Sequence, residues 1–181
     1  MRSIVSMTLA ACAVVVLASP TLAQSPTPAA LPAQPSAGGT PEKIPFDVPY
    51  GMSIGLDHAR QVAAAAEEEA KKRNWKMNIA VVDTNGDLVY FSRMEGAQIA
   101  SITISEGKAR TAARYRRESR VFFNAYETGH PYVSTLDPTL IASPGGFPLI
   151  EGGKVIGAIG CSGGTGDQDA AVCKAGADTV K

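Results

Sequence analysis

Glycine crowds the C-terminal part of this chain, and two of its three cysteines lie there. Nine of its eighteen glycines fall between Gly145 and Gly166, and Gly160-Cys161-Ser162-Gly163-Gly164 has the G-x-S-x-G form of a hydrolase nucleophile elbow. Such a serine needs a histidine later in the chain, whereas both histidines, His58 and His130, precede Ser162. Serine hydrolysis is therefore set aside. Gly157, Gly160 and Gly163 miss the dinucleotide-binding spacing, and no Walker lysine accompanies them. A turn with positive φ at the start of a helix remains, a place where exposed amides favour an anion. Ser143-Pro144-Gly145-Gly146 forms a second loop able to make an amide nest, although a plain turn is the simpler reading of both.

Other chemistry-bearing residues are scattered. Lys108 shares a helical face with Ile104, Thr111, Ala112 and Tyr115, so its ammonium has to snorkel outward or meet a partner. Arg110, Arg114 and Arg117 fall on the opposite face, where they suit either carboxylates or plain solvent. Two histidines about seventy residues apart, with no cysteine or carboxylate at ligand spacing, give no case for a protein-built metal site. His58 and His130 read as surface residues. Cys161 ends a strand and Cys173 sits within a helix, so two buried thiols are the expected state and a disulfide the alternative.

Hydrophobic periodicity supplies the elements that position these groups. Ala59, Val62, Ala63, Ala66 and Ala70 form one stripe of an amphipathic helix over 56–74, with acid-before-base pairs Glu67–Lys71, Glu68–Lys72 and Glu69–Arg73 on its wet side. Met77 to Asp83 and Leu88 to Arg93 read as a hairpin around Asn85-Gly86. A helix over 98–118 follows, then a weakly periodic stretch with a short helix near 122–126. A second hairpin spans 147–150 and 155–161, and a final helix runs from about Gly166 to Val180, opened by the capping-box spacing Thr165 to Gln168. Helix, hairpin, helix, loop, hairpin, helix is an α+β order: it suits an antiparallel sheet covered by helices and argues against a parallel Rossmann sheet.

With 181 residues, 17 Lys+Arg against 17 Asp+Glu, and a mean hydropathy near zero, the chain has room for one ordinary domain and no charge excess for nucleic acid or a polybasic membrane partner. Arg2, an uncharged apolar run from Ile4 to Ala18, and Thr21-Leu22-Ala23 predict a signal peptide over 1–23, too short in its apolar part to span a membrane. A lipoprotein box ending at Cys12 is the rival, placed too early in the apolar run. Seven of the twelve prolines lie within 24–49, which reads as a disordered tether, and the domain is expected over 50–181 in the periplasm or outside the cell.

Five ordered blocks now carry a resemblance: Val81-Val82-Asp83-Thr84-Asn85-Gly86, Ser92-Arg93-Met94-Glu95-Gly96-Ala97, Lys108-Ala109-Arg110-Thr111-Ala112-Ala113, Pro144-Gly145-Gly146-Phe147-Pro148-Leu149, and the run from Gly157 to Asp169. Together they resemble the GlcG/HbpS-like family, which includes the C-terminal domain of PduO-type proteins. The resemblance implies a profilin-like α/β/α sandwich with a five-stranded antiparallel sheet, a homo-oligomer, and haem, or alternatively a corrinoid, as the bound group. Carried over residue by residue, it implies a pocket from Arg93, Glu95, Lys108, Thr111, Pro144, Gly145, Gly146, Ser162, Gly163, Gly164 and Asp169, with Thr111 as a weak oxygen ligand for iron and Lys108 and Arg114 pairing with propionates. Ala142-Ser143, where an apolar aromatic commonly precedes Pro-Gly-Gly, and the basic segment 114–120 depart from the family pattern. The alternatives are an enzyme acting on a hydroxy or oxo acid, with Lys108 as acid/base and the Gly145-Gly146 amides polarising an oxyanion, or a non-catalytic partner protein.

Overall fold

The structure, a computed structural model, describes residue 44 and residues 46–181. The expected signal peptide, Cys12 and most of the expected tether lie outside the described residues. Helix α1 (Leu56–Lys72) is followed by strands β1 (Asn78–Val82) and β2 (Leu88–Arg93), then α2 (Ser101–Tyr115), α3 (Arg120–Glu127), a 3-10 turn (Pro131–Thr135), β3 (Gly146–Glu151), β4 (Lys154–Ser162) and α4 (Gly166–Ala177). The four strands form one antiparallel sheet in the order β2-β1-β4-β3.

The expected fifth strand is absent among the described residues. In its place the chain touches the sheet once, through a parallel bridge from Tyr50 to Val155, with Gly51 N–H donating to Val155 O (2.8 Å) and Ile54 N–H to Ile156 O (2.7 Å). Pro49 has no N–H to continue such a ladder, and the chain turns into α1 a few residues later. The segment is already engaged with the domain at Phe46, whose ring lies under Arg117, and at Val48, whose carbonyl accepts from Arg116 Nη1 (2.9 Å).

Alternation along the strands divides the core in two. Ile79 and Val81 of β1, with Ile159 and Cys161 of β4, face α1 and α4; Ala80, Val82 and Ala158 face α2. The α1 stripe reads through to the structure unchanged: Ala59, Val62, Ala63, Ala66 and Ala70 are all buried. Of its expected ion pairs, Glu67–Lys71 (2.9 Å) and Glu69–Arg73 (2.6 Å) form, whereas Glu68 meets Lys71 (3.0 Å) rather than Lys72. On the other face only small side chains separate α2 from the sheet. A Cβ on Gly160 would fall on Ser105 O, and one on Gly146 would fall on Lys108 O. Gly160→Ala is therefore expected to lower stability by about 1–3 kcal/mol through overpacking. Gly55→Ala, whose Cβ meets open space, should stay within about 0.5 kcal/mol. Urea midpoints at constant m distinguish the two.

Both hairpins form. Asp83 Oδ1 accepts from Asn85 N–H (2.8 Å) and Asp87 N–H (2.9 Å), folding the first turn with Gly86 at φ +90°. Helix α2 is shorter than the expected 98–118 because Arg116 turns left-handed at φ 54° and ends it. Arg117 thus lies beyond the helix rather than on its stripe. The Thr165–Gln168 capping box is present in full, and α4 stops at Ala177 rather than Val180.

One expectation is corrected here. Cys161 and Cys173 are joined as a disulfide with Cα atoms 5.5 Å apart, rather than remaining two thiols. Cys161 points to the face that α4 covers, and α4 runs back along β4, which lays its middle residue over that strand.

Candidate functional site

Helix α2 lies across the sheet with Lys108 buried at its centre, 1% exposed. The ammonium donates to Asp169 Oδ2 (2.7 Å) and to Cys161 O (3.2 Å). Asp169, in the first turn of α4 and 3% exposed in its side chain, accepts through Oδ1 from the Gly163 N–H (3.0 Å) and the Gly164 N–H (2.9 Å). The amides expected to hold an anion are thus held by the protein's own carboxylate. Burial pulls the Lys108 pKa below the ordinary lysine range, opposed by the attraction of Asp169.

Gly145, at φ +113°, leaves room for this pair: a Cβ there would stand 2.9 Å from Asp169 Cβ and 3.2 Å from Lys108 Nζ. Pro144 is buried against Gly166. Gly146 N–H donates to Ser119 Oγ (2.8 Å), and that hydroxyl donates to Ser143 O (2.6 Å). Lys108, Asp169, Pro144, Gly145, Gly146, Gly163 and Gly164 therefore converge as the blocks imply, but they do so as a closed lock joining α2, α4 and two loops. No group in it is placed to exchange protons with a substrate in solvent, which takes from the hydroxy-acid reading its acid/base lysine.

Thr111 lies one turn along α2, 2% exposed. Its hydroxyl donates to Gly107 O (2.8 Å) and accepts from Ile141 N–H (2.9 Å). An iron ligand at this oxygen would have to displace Ile141 from a side chain that is already buried, so these interior residues as packed do not fit a macrocycle. Ser162 is buried, donating to Ser101 Oγ (3.0 Å) within a polar cluster where Gln98 Nε2 also donates to Ser101 Oγ (2.6 Å) and Asn78 Nδ2 to Gln98 O (3.1 Å). Arg93 and Glu95 are exposed at the end of β2, with Arg93 in register with Asn78 and Asn78 with Ser162. They stand at the same sheet end as Ser162, outside the lock.

Arg114 occupies the opposite end of α2. Its Nε donates to Asn85 O (2.8 Å), as Arg110 Nε does to Gly86 O (3.2 Å), so both basic side chains rest on the first hairpin turn. Arg114 Nη1 reaches Asp137 Oδ2 at 3.6 Å. Thr139, through its N–H and hydroxyl, together with Arg114, holds the Asp137 carboxyl below the usual carboxylate range. Arg114, Tyr50, Thr84 and Asn85 line an open cavity of about 390 Å³, within the range of small-molecule sites. The Tyr50 hydroxyl donates to Arg114 O (2.8 Å) and closes the helix end.

Sequence reasoning missed Ser119 and Asn78. A lone serine between charged residues carries no signal, but Asn78 at the head of the apolar run Ile79-Ala80-Val81-Val82 is a polar residue in a buried strand and is legible as one that needs partners. It also missed that the 3-10 turn, whose Tyr132 meets His130, packs on α3, whose Phe122 lies under Arg117. Among the described residues no group of three or more His, Cys, Asp or Glu could hold a metal ion, and no helix is long and apolar enough to cross a membrane.

An antiparallel sheet between a helix pair and a single close-packed helix, locked by a buried Lys–Asp pair against glycine amides, defines the class of domain. The family model described as "Haem degrading protein HbpS-like" matches residues 54–178, and the chain belongs to that family. Protein GlcG of Escherichia coli K12 is 44% identical over 104 residues, 58% of this chain and 77% of that protein. The crystal structure of a double mutant of Streptomyces reticuli HbpS is 26% identical and superposes with a TM-score of 0.67 over 81% of this chain and 99% of that one. The crystal structure of a PduOC:heme complex shares the fold, with a TM-score of 0.66 at 23% identity over 72% of this chain and 96% of that one.

Proposed function

We propose that the protein is an exported haem-binding protein. Membership of the HbpS-like family supports the ligand, and the existence of a heme complex on the same fold supports the fold's capacity for it. Arg114 is the observation that carries the reading for this chain: of the residues expected to hold the group, it has an exposed side chain on an open cavity, where a guanidinium can exchange Asp137 for a ligand carboxylate. A corrinoid, whose periphery carries amides instead of propionates, gains less from that guanidinium. When bound, haem supplies a redox-active iron and two carboxylates. The chain's own part is to offer cations to the carboxylates and apolar surface to the ring, while the Lys108–Asp169 lock stays closed.

Export is supported by the signal-like first 23 residues and by the disulfide, a bond that persists in oxidising compartments. Assembly into a homo-oligomer belongs to the same proposal and is supported by exposed apolar side chains such as Met52 and Ile99. Hemin titrated into the purified protein should give a saturable Soret shift near one equivalent. Arg114→Ala should weaken it by on the order of tenfold, the loss of one charge-assisted contact of about 1.5 kcal/mol. Absence of any Soret change in the unmodified protein would overturn the reading.

A further inference from the structure

Past Arg114 the chain carries Arg116, Arg117 and Arg120 into α3, and then the 3-10 turn, all outside the five blocks of the resemblance. Arg117 stands among three aromatic rings, its guanidinium carbon 4.2 Å from the Phe46 centroid, 4.6 Å from Phe122 and 5.8 Å from Tyr115. Arg114 has Asp137, and Arg120 has Glu118 and Asp167, but no acid among the described residues pairs with Arg117, and its buried Nε has no acceptor among them. Burial draws its pKa down, opposed by Tyr115 and Tyr132, and the 3-10 turn that carries Tyr132 packs on α3, whose Phe122 lies under this guanidinium. A cation kept in a half-buried aromatic setting, with no acid paired to it among the described residues, is complementary to a carboxylate arriving from outside.

Tyr132 also neighbours His130, ring centroids 6.1 Å apart and edge to face at 80°. His130 is exposed. Its backbone is fixed by donation to Ala125 O (2.9 Å), and its Nδ1 lies 3.4 Å from Thr128 Oγ1, which leaves Nε2 as the ring nitrogen without a hydrogen-bond partner among the described residues. Near it in the chain, Tyr126 of α3, Tyr132 of the 3-10 turn and Leu136 at that turn's end are each at least half exposed, on elements whose buried residues are Phe122 and Val133. A bare metal ion would find too few donors here. A porphyrin iron brings four nitrogens of its own and asks the protein for one more.

We propose that this face of α3 and the 3-10 turn is a hemin subsite, in which His130 Nε2 ligates the iron and Arg117 meets a porphyrin carboxylate. The inference rests on the haem-binding reading and names the residues that perform it. The Nε2 lone pair of His130 would replace a water on ferric iron: one Fe–N bond forms as one Fe–O bond breaks, the water leaves to solvent, and no electron is transferred. A flat apolar ring over Tyr132 and Leu136 covers side chains that are otherwise in water, and charge complementarity, two carboxylates against Arg114 and Arg117, selects hemin over a second copy of this chain as the occupant.

The test is hemin titration of the whole chain, read by the Soret and visible bands, by electron paramagnetic resonance of the ferric form, and by mass in solution. His130→Ala is expected to abolish the histidine-ligated spectrum and weaken hemin by at least the roughly 10–100-fold that even outer-shell changes cost a metal site. Added imidazole should restore the spectrum. Since His130 is exposed, the variant should keep the melting temperature of the unmodified protein. Arg117→Gln should remove the preference for hemin over hemin dimethyl ester. If the unmodified protein binds hemin and His130→Ala matches it in spectrum and affinity, the subsite is wrong while the haem reading stands. If the unmodified protein binds none, the reading itself fails. A His130→Ala protein altered only in its oligomeric mass would assign this face to contact between copies and overturn the subsite.

Discussion

Asp169→Ala is expected to destabilise the protein by about 3–5 kcal/mol, a large part of the stability of a domain this size. The substitution removes the counter-charge of Lys108, which is 1% exposed, and the acceptor of two loop amides in one step. An ammonium left there with only the Cys161 carbonyl can neither reach water nor find a second carboxylate. If that charge is the dominant cost, adding Lys108→Met to Asp169→Ala should recover stability, since buried ion pairs can be replaced by apolar groups of similar volume at little loss. Recovery should be partial, because the Gly163 and Gly164 amides stay unsatisfied at about 1–3 kcal/mol. Denaturation midpoints for the two single variants and the double variant close the cycle. An Asp169→Ala protein within 1 kcal/mol of the unmodified one would mean that the lock does not hold α2 and α4 together.

Opening the Cys161–Cys173 disulfide is the second large effect. The bond closes a loop with a sequence separation of 12. Chain entropy alone gives it about 3 kcal/mol, or roughly 10 °C in melting temperature for a domain of this length. The loop holds the Gly163-Gly164 turn and Asp169, so the same bond limits how far the lock can move in the unfolded ensemble. Cys161→Ser with Cys173→Ser should lose that amount, and alkylation after unfolding should find both sulfurs protected in protein made in an oxidising compartment. Two alkylatable thiols at these positions in such material would contradict the assignment.

How much of this was legible in the sequence depends on whether the signal was periodic or three-dimensional. The α1 stripe and the Thr165–Gln168 cap are local patterns, and they appear as read. The end of α2 was placed three residues late because the left-handed turn at Arg116 is made by a residue with no glycine-like freedom, held by its bond to Val48 O and by packing of its guanidinium over Tyr50. The disulfide was missed because a strand end and a mid-helix position come together only when α4 runs back along β4. Convergence of Lys108 with the glycine loops was legible from the ordered blocks, but its closure was not: the two amides looked available to a ligand until Asp169 was seen to occupy them. Arg114 could be named from its spacing, whereas Arg117, Tyr132 and His130 lie up to fifteen residues apart in a weakly periodic stretch and are linked only by the packing of the 3-10 turn on α3.

The most direct test is a crystal structure of the hemin-loaded protein. It should show iron on His130 Nε2, porphyrin carboxylates at Arg114 and Arg117, and the Lys108–Asp169 pair still closed near 2.7 Å. Iron on Thr111, with Ile141 displaced and Lys108 released from Asp169 to a propionate, would contradict the account.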